Sequence, residues 1–378
     1  MTALYLHIPF CRSKCHYCSF SSCAGAEQLY DSYVAALMRE MDNIVGQDGI
    51  AGGEGLATLF IGGGTPTCLP SELLQRLIRR AIDLFGLAAG AEISVEANPG
   101  TVDSNSLESL LALGVNRLSL GVQSFADREL GTIGRIHSGD DAESAVQAAL
   151  SAGFTNVNLD LMFGLPGQTP GSWQNSLQRA LALSPQHLSL YQLTIEPNTL
   201  FHSLLHHNTL SLPTEDDILA MDASTERLSR SAGLLQYETS NYAAQGYQCR
   251  HNINYWHNND YFAAGASAVS CLLGVRERRV ADPAAYIRRI NHHESVVIER
   301  EKLPREDSFR ETVIMGLRLV QGVSRAVLYE RYGLDIAAYY GLILKKLLAL
   351  GLVELTATHL RISKRGWPLA NQIMAKLV

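Results

Sequence analysis

The stretch HIPFCRSKCHYC, residues 7–18, carries three cysteines within eight positions, at Cys11, Cys15 and Cys18. These cysteines closely follow a short apolar run, residues 4–8, which predicts a β-strand. Three soft thiolate ligands on one loop suit three irons of a cubane cluster. Because such a cluster has four irons, the loop predicts a [4Fe-4S] cluster with one iron open to a substrate or cofactor.

Buried structural thiols and a zinc site are the two alternatives for these cysteines. Structural zinc is commonly closed by four ligands in paired CxxC units, and the seven cysteines contain no second such pair. Arg12 and Lys14 lie within the motif and favour thiolates, which argues against inert buried thiols. The role of Cys23, which follows the motif, is left open as a fourth ligand.

From residue 3 to about 195 short apolar segments alternate with helical segments, which predicts repeated βα units and a parallel sheet. The predicted strands cover residues 3–8, 57–61, 92–97, 117–121, 156–162 and 187–194. The predicted helices cover residues 28–44, 71–85, 104–113, 140–152 and 171–183. The fold class is therefore α/β. Six such units suit a partial (βα)6 barrel, and a doubly wound open sheet is the alternative that periodicity alone does not separate.

Glycines and polar residues follow the predicted strands at their carboxyl ends. They form the segments GGGTP at 62–66, EANPG at 96–100, GVQS at 121–124, and Asp160 with GLPGQ at 164–168. In parallel α/β folds ligands bind at this edge of the sheet. These segments and the cysteine loop therefore predict one binding chamber over the open iron.

The rest of the chain predicts two smaller parts. Residues 201–303 are expected to form a linker and an α+β region, after a polar junction at 196–215. Residues 304–378 predict three helices followed by a hairpin, which is the order of a winged helix. The predicted domains are thus 1–200, 201–303 and 304–378.

Composition limits the partners and the compartment. The 378 residues include 31 Lys and Arg against 37 Asp and Glu, and this net charge of −6 argues against a nucleic-acid partner. We find no signal-peptide pattern and no run of about 18 apolar residues. A cytoplasmic, reducing location is expected, where clustered cysteines bind metal rather than form disulfides.

The CxxxCxxC spacing after a first strand resembles the radical S-adenosylmethionine (SAM) superfamily. The resemblance implies that the open iron binds SAM and that reduction of the cluster cleaves SAM to a radical. Further segments are similar to the family that joins oxygen-independent coproporphyrinogen III oxidases and HemW-type heme chaperones. These segments are YLHIPFC at 5–11, EANPG at 96–100, GVQSF at 121–125, LTIEPNT at 193–199 and YETSNY at 237–242.

Nine residues fall on SAM-contacting positions of that family. The resemblance implies that Glu96 accepts from the SAM ammonium, that Arg135 pairs with the SAM carboxylate and that Asp160 accepts from the ribose hydroxyls. Tyr17, beside a cluster cysteine, is expected to pack on the adenosyl group. The full set is Tyr5, Tyr17, Gly63, Gly64, Thr65, Glu96, Gln123, Arg135 and Asp160.

The segment HNINYW, residues 251–256, matches the HNxxYW motif of the heme chaperones. The resemblance associates it with heme, with His251 as an iron ligand and Tyr255 and Trp256 as flat faces for the macrocycle. The alternative is a hydrogen-bonded histidine beside an aromatic core. The oxidases carry a further cysteine two residues after the third cluster cysteine, where this chain has Phe20.

The resemblance implies a heme chaperone that binds heme and a SAM-coordinated cluster and delivers heme to respiratory membrane proteins, meeting them transiently at the inner face of the membrane. The alternative is an enzyme, a coproporphyrinogen III oxidase that forms protoporphyrinogen IX by radical decarboxylation. Either activity implies an electron donor for the cluster. No catalytic residue is assigned, and Cys249 is left open between a heme ligand and a buried small residue.

Overall fold

The computed structural model describes residues 2–48 and 55–378. Six of its strands coincide with the six predicted segments to within a few residues, and a pair of two-residue strands frames the cysteine loop. The strands of the first 200 residues are β1 (Ala3–Ile8), β2 (Phe10–Cys11), β3 (Cys23–Ala24), β4 (Leu56–Gly63), β5 (Leu87–Ala97), β6 (Arg117–Gln123), β7 (Val157–Phe163) and β8 (His187–Gln192).

Six strands lie side by side in chain order, β1-β4-β5-β6-β7-β8, and all neighbouring pairs among them are parallel. A doubly wound sheet reverses its strand order at a switch point, and this order does not reverse. The winding is therefore that of a βα barrel, which confirms the predicted class. Among the described residues the sheet is open, with further strands beyond β1 and β8.

The helices of this half are α1 (Tyr30–Asp48), α2 (Ser71–Phe85), α3 (Ser104–Ala112), α4 (Asp127–Thr132), α5 (Gly139–Ala152), α6 (Pro170–Ala182), α7 (Leu200–His206) and α8 (Glu215–Ser231). Four of them begin at capping boxes, in which Asp103, Ser138, Thr169 or Thr214 accepts from the backbone of the third helical residue. These caps explain why α3, α5 and α6 begin within one residue of the predicted positions.

Helix α7 lies in the segment predicted as a polar junction. Its side chains are mostly exposed, but Phe201 is fully buried and its N–H donates to the carbonyl of His16 at 3.1 Å. The helix is therefore tied to the cysteine loop. Seven residues with one buried anchor give too little periodicity for a helix to be predicted.

Residues 232–303 contain helices and strands, and two of these strands extend the main sheet directly. They contain β9 (Leu235–Gln236), β10 (Asn241–Ala243), α9 (Arg250–Trp256), β11 (Phe262–Ala264), β12 (Val269–Leu272), β13 (Val275–Arg279), α10 (Pro283–Asn291) and β14 (Val297–Lys302). β11 pairs parallel to β1, and β10 pairs antiparallel to β8. The main core includes Met221, Tyr242 and Tyr286. The predicted boundary at residue 200 thus coincides with no break in the core, and the domain division stays a prediction.

The C-terminal part has a separate apolar core, built around Phe309, Leu344 and Leu360. Its antiparallel sheet has the order β15-β17-β16, where the last two strands form the predicted hairpin. The elements are α11 (Arg305–Gly316), β15 (Val323–Ser324), α12 (Arg325–Tyr332), α13 (Ile336–Ala349), β16 (Val353–Leu355), β17 (His359–Ile362) and α14 (Ala370–Ala375). This is the order predicted for a winged helix. Across the described residues, no helix combines the length and apolar character that a bilayer span requires.

Candidate functional site

The three cysteines lie on one loop that follows β1. Cys11 ends β2, and the N–H of Cys18 donates to the carbonyl of Cys15 at 3.2 Å. All three residues are partly exposed. Within residues 2–48 and 55–378, no group of three or more His, Cys, Asp or Glu side chains forms a single-ion site. The thiolates of a cubane cluster bind separate irons, so they need not converge on one point.

Hydrogen bonds from three directions hold the cysteine loop. Within it, Lys14 Nζ donates to the carbonyl of Phe20 at 2.7 Å. From the segment after α4, the carbonyl of Ile133 accepts the N–H of His16 at 3.0 Å. On the other side the carbonyl of His16 accepts the N–H of Phe201 from α7. The protein itself therefore sets the conformation in which the thiols are presented.

The glycine-rich turn after β4 packs against Cys11. The N–H of Gly64 donates to the carbonyl of Ile8 at 2.8 Å, and that of Thr65 donates to the carbonyl of Phe10 at 2.7 Å. A Cβ at Gly64 would lie 2.9 Å from Cys11 Sγ and 2.6 Å from the Phe10 carbonyl oxygen. Only glycine permits this approach. The structure thus brings the predicted turn and the first predicted cluster ligand together.

Two carboxylates face the barrel interior beside this turn. Glu96 Oε2 accepts the N–H of Gly63 at 3.0 Å, and Asp160 Oδ1 accepts from Asn158 Nδ2 at 2.7 Å. Burial, followed by the charge of Asp160, raises the pKa of Glu96 to about 7. Burial also raises the pKa of Asp160. Because both carboxylates lack enough positive charge nearby, their surroundings suit a cationic ligand.

Asn98 joins two of the predicted SAM-contacting residues but is not itself among them. Its Nδ2 donates to Thr65 Oγ1 at 2.7 Å, and its Oδ1 accepts from Arg135 Nη2 at 2.6 Å. Arg135 also donates to the carbonyl of Gly121, and its Nη1 lies 3.6 Å from Cys15 Sγ. Arg135 Nε is buried and has no hydrogen-bond partner in the described part of the chain. The position of Asn98 at a strand end was the signal that could have identified it.

Gln123 ends β6 in a left-handed backbone conformation, with φ of 70°. Such a conformation is uncommon for residues other than glycine and often accompanies a functional site. The pairing of β6 with β7 shifts between Gly121 and Gln123, which is a β-bulge. Bulges redirect side chains at the ends of strands, and this one sets the direction of Gln123 at the predicted chamber.

Three tyrosines line the same region. Tyr5 Oη is 3.0 Å from His7 Nδ1, and Tyr17 packs against the small apolar cluster that contains Ile133. Tyr191, at the end of β8, is not among the predicted site residues. Burial raises the pKa of Tyr5 and Tyr17. Tyr191 is 40% exposed, and partial desolvation together with the charge of Asp160 raises its pKa as well. All three therefore remain protonated near neutral pH.

His251, the residue predicted to bind heme iron, is buried and has only 1% of its surface exposed. Its Nδ1 is 2.8 Å from Thr58 Oγ1, its Nε2 is 3.0 Å from Tyr255 Oη, and its ring stacks on Phe60. Burial, followed by the charge of Arg117, lowers the pKa of His251 to about 3. Both ring nitrogens are engaged, as in the alternative of a hydrogen-bonded core histidine. Heme ligation by His251 stays a prediction that requires the Tyr255 bond to open.

Tyr255 and Trp256 of the HNxxYW motif, and Cys249 just before it, also contact other parts of the protein. The guanidinium carbon of Arg318 lies 4.5 Å from the centre of the Trp256 ring, a cation–π contact. The ring of Tyr255 meets Tyr261 edge to face at 4.6 Å. Cys249 is buried, and burial raises its pKa to about 12. In this conformation Cys249 therefore behaves as a buried thiol rather than a thiolate ligand.

The two predicted sites lie at opposite ends of the same strands. Strand β4 carries Thr58 near its beginning, which bonds His251, and Gly63 at its end, which bonds Glu96. On β5, Glu92 accepts the N–H groups of Arg250 and His251 at 2.9 and 3.1 Å. Helix α9 thus closes the amino end of the barrel, and the cysteine loop covers the carboxyl end.

The chemical groups at the carboxyl end of the barrel strands are those that a SAM-bound cluster requires. They offer three thiols with bare glycine backbone beside one of them. Arg135 has a buried Nε without a partner among the described residues, which suits a carboxylate. Two carboxyls of raised pKa suit a cation such as the SAM sulfonium. On a partial βα barrel, this combination is that of a radical SAM protein.

Comparison with known proteins narrows this class. Residues 5–180 match the Radical SAM superfamily, and residues 303–369 match the HemN C-terminal domain. The chain is 36% identical over 374 residues to the heme chaperone HemW of Bacillus subtilis (strain 168), covering 99% of this chain and 98% of the relative. It is 45% identical over 267 residues to the heme chaperone HemW of Escherichia coli (strain K12), covering 70% and 69%. The chain therefore belongs to the HemW family.

The fold corresponds to a solved structure from the related branch. This structure is the coproporphyrinogen III oxidase HemN from Escherichia coli, described as a radical SAM enzyme. The TM-score is 0.86 at 26% sequence identity, and the match covers 100% of this chain and 89% of HemN. The correspondence includes the C-terminal part, so the whole of this chain has a structural counterpart in HemN.

Proposed function

We propose that this protein is a heme chaperone that binds heme together with a SAM-coordinated [4Fe-4S] cluster and passes the heme to respiratory membrane proteins. The observation that carries the proposal is the similarity, over 99% of the chain, to a relative named heme chaperone HemW. Phe20 gives further support, since it stands where the oxidases have a further cysteine and is 69% exposed. Cys11, Cys15 and Cys18 are the proposed cluster ligands.

The proposed SAM site uses the groups around the glycine-rich turn. When bound, the cluster supplies one-electron chemistry toward SAM. Glu96 accepts from the SAM ammonium, and Asp160 accepts from the ribose hydroxyls. Arg135, held in place by Asn98, pairs with the carboxylate. A Cβ at Gly63 would lie 2.7 Å from the His7 ring, so only glycine allows the turn to take the conformation in which it is proposed to meet the methionyl group. Tyr5, Tyr17, Gly64, Thr65 and Gln123 complete the proposed contact set.

The cluster is tested by anaerobic reconstitution and iron analysis. The protein is expected to bind about four irons with the absorption of a cubane cluster, and a triple Cys11→Ala/Cys15→Ala/Cys18→Ala variant is expected to lose both. A Cys271→Ala variant is the matched control, because Cys271 is buried in β12 and far from the motif in sequence. Equal iron content in the triple variant and the control would refute the assignment.

For heme, we propose that the hydrogen bond between His251 and Tyr255 opens and frees Nε2 of His251 for iron. A heme titration followed at the Soret band tests this with variants of opposite effect. His251→Ala is expected to weaken heme binding at least about tenfold, whereas Tyr255→Phe removes the competing hydroxyl and is expected to strengthen it. His257→Ala, at an exposed neighbouring histidine, is the control. Unchanged binding in both test variants would exclude His251 as the ligand.

A second candidate function is oxidative decarboxylation of coproporphyrinogen III. It is supported by the match to HemN over the full length of this chain. An anaerobic assay with coproporphyrinogen III, SAM and a reductant measures protoporphyrinogen IX directly. We expect no turnover above the triple cysteine variant, and turnover that depends on the three cysteines would establish the oxidase instead.

The proposed setting is the cytoplasm, with a transient encounter at the inner face of the membrane where heme is transferred. An electron donor for the cluster is also part of the proposal. Pull-down from membranes with the heme-loaded and heme-free protein tests the transfer step. Heme-dependent recovery of respiratory heme proteins is the expected result, and recovery that is the same without heme would contradict it.

A further inference from the structure

Four hydrogen bonds cross the barrel interior from α9 to Asp160. The N–H of Cys249, directly before α9, donates to Tyr237 Oη at 3.2 Å. Tyr237 Oη is 2.9 Å from His187 Nε2, and His187 Nδ1 is 2.6 Å from Asn158 Oδ1. Asn158 Nδ2 then donates to Asp160 Oδ1 at 2.7 Å. The bonds join the amino end of the HNxxYW helix to a residue of the proposed SAM site.

In each of these four hydrogen bonds the donor lies on the α9 side and the acceptor on the Asp160 side. The carboxylate accepts the Asn158 amide, and Asn158 Oδ1, which also accepts from Ser189 Oγ at 3.1 Å, must accept from His187 Nδ1. Burial lowers the pKa of His187 well below its usual value, so the ring is neutral. Its Nε2 therefore accepts the Tyr237 hydroxyl proton. Bonds aligned head to tail polarise one another, so a change at one end is felt at the other.

The other anchors of the first turn of α9 lie on β4 and β5. Arg250 Nη1 donates to the carbonyl of Gly90 at 2.6 Å, and His251 Nδ1 is 2.8 Å from Thr58 Oγ1. The next two N–H groups of the turn donate to Glu92, which is fixed on β5. The Tyr237 hydroxyl is thus the contact at this turn that connects to the SAM side of the barrel. The ring nitrogens of His251, the second residue of α9, depend on where that turn is held.

We propose that occupancy of the SAM site at Asp160 is transmitted through Asn158, His187 and Tyr237 to the first turn of the HNxxYW helix. The inference rests on the proposed role of Asp160 in binding SAM. The ribose hydroxyls of SAM donate to Asp160 and so hold this carboxylate, the last acceptor in the series of hydrogen bonds, in one position. The aligned bonds extend this restraint to α9. SAM and heme affinities are then linked by the same factor in both directions, in the range of about 5- to 150-fold that is usual for such coupling.

Hydrogen exchange of the amides at residues 249–257, with and without SAM, tests the transmission in the cluster-loaded protein. SAM is expected to slow this exchange at least about fivefold in the natural protein. Tyr237→Phe removes one hydroxyl but leaves Asp160 and Asn158 in place. It is expected to bind SAM within about threefold of the natural protein and to lose the response of α9.

Two further variants make the test specific. His187→Asn keeps a donor near the Nδ1 position and removes the bond to Tyr237, so it is expected to lose the response in the same way. Tyr340→Phe is the control, because it removes a buried hydroxyl that donates to the carbonyl of Leu377 at 2.9 Å in the C-terminal core. The control is expected to keep the response. Heme titrations with and without SAM should show the same ranking.

The outcomes separate this inference from the proposed function. A full response of α9 to bound SAM in Tyr237→Phe, or no response in the natural protein, would overturn the inference. If heme does not bind but α9 responds to SAM, the heme part of the proposed function fails and the inference stands. If SAM does not bind, Asp160→Asn in the free protein decides. The inference requires that Asp160→Asn changes hydrogen exchange in α9 and that the change is lost in the double variant with Tyr237→Phe. Any other result overturns the inference.

Discussion

Replacing Glu40 by alanine is expected to be among the most destabilising single changes in the main core. Glu40 lies on α1 and is about as buried as its partner Arg279 on β13, with both side chains 5% exposed. Its Oε1 accepts from Arg279 Nε at 2.8 Å, and its Oε2 accepts from Tyr286 Oη at 2.5 Å and from the N–H of Gly265 at 2.8 Å. One carboxylate therefore joins α1, α10 and the segment that follows β11.

The magnitude follows from the groups that the substitution leaves without a partner. Removing one partner of a buried ion pair costs about 3–5 kcal/mol, because the other charge stays buried. The freed hydroxyl and N–H add about 1–3 kcal/mol, since they share the cavity and can partly rearrange. We expect Glu40→Ala to lower the free energy of unfolding by about 4–8 kcal/mol and Glu40→Gln, which keeps the shape and one oxygen, by about 2 kcal/mol.

Urea unfolding followed by circular dichroism measures these differences, with the slope of the transition as a check that the unfolded state is unchanged. Asp42→Ala is the matched control on the same helix, because its ion pair with Arg80 has both side chains 42% exposed. That change is expected to cost less than about 0.5 kcal/mol. A loss for Glu40→Ala no larger than for Asp42→Ala would refute the reasoning. Replacing Glu40 and Arg279 together by methionine should recover at least half of the loss.

Three further predictions concern the proposed SAM site and the packing around the first strand. The pKa of Glu96 is about 7, so the dissociation constant for SAM, which favours the ionised form, should rise about tenfold per pH unit below pH 7 and level off above it. A Glu96→Gln variant with the same profile would exclude this carboxyl as the cause. Asn98→Ala frees Arg135 and should weaken SAM binding about tenfold by equilibrium dialysis; unchanged binding would contradict its positioning role. Gly265→Ala places a Cβ 2.6 Å from the carbonyl oxygen of His7 at a φ of 109° and should destabilise the protein by about 2–4 kcal/mol in urea; a loss below about 1 kcal/mol would show that the backbone accommodates it.

The central sheet was predictable because its signals are local. Each strand from β1 to β8 that forms the barrel is a short apolar run, and the helices between them begin at capping residues such as Asp103 and Ser138. The additions at the sheet edges were not predictable. β11 pairs with β1 through residues 262–264, a small-residue run whose strand character depends on a partner far away in the sequence. Helix α7 depends on one buried side chain, Phe201.

For the candidate site, sequence placed residues at strand ends but did not give their mutual contacts. Glycine at Gly64 was predictable as a turn, whereas its packing on Cys11 is a property of the folded chain. Asn98 escaped prediction because an amide after a strand is also common in ordinary turns. For His251 the motif indicated a ligand, and the structure gives both ring nitrogens a protein partner. Burial of this kind is set by tertiary packing and has no local signature.

The pairing of β11 with β1 also bears on the order of events during synthesis. Leu4 leaves the ribosome early, but its partner Phe262 follows only after most of the chain has been made. At about 5–20 residues per second, this delay is on the order of tens of seconds. Throughout it one edge of the first strand is unpaired. Tyr33 Oη, which donates to the carbonyl of His7 at the end of that strand, still lacks the N–H of Ala266 that donates to it in the folded protein. The unpaired edge of the nascent strand therefore needs protection from other strands until the chain has been made as far as β11.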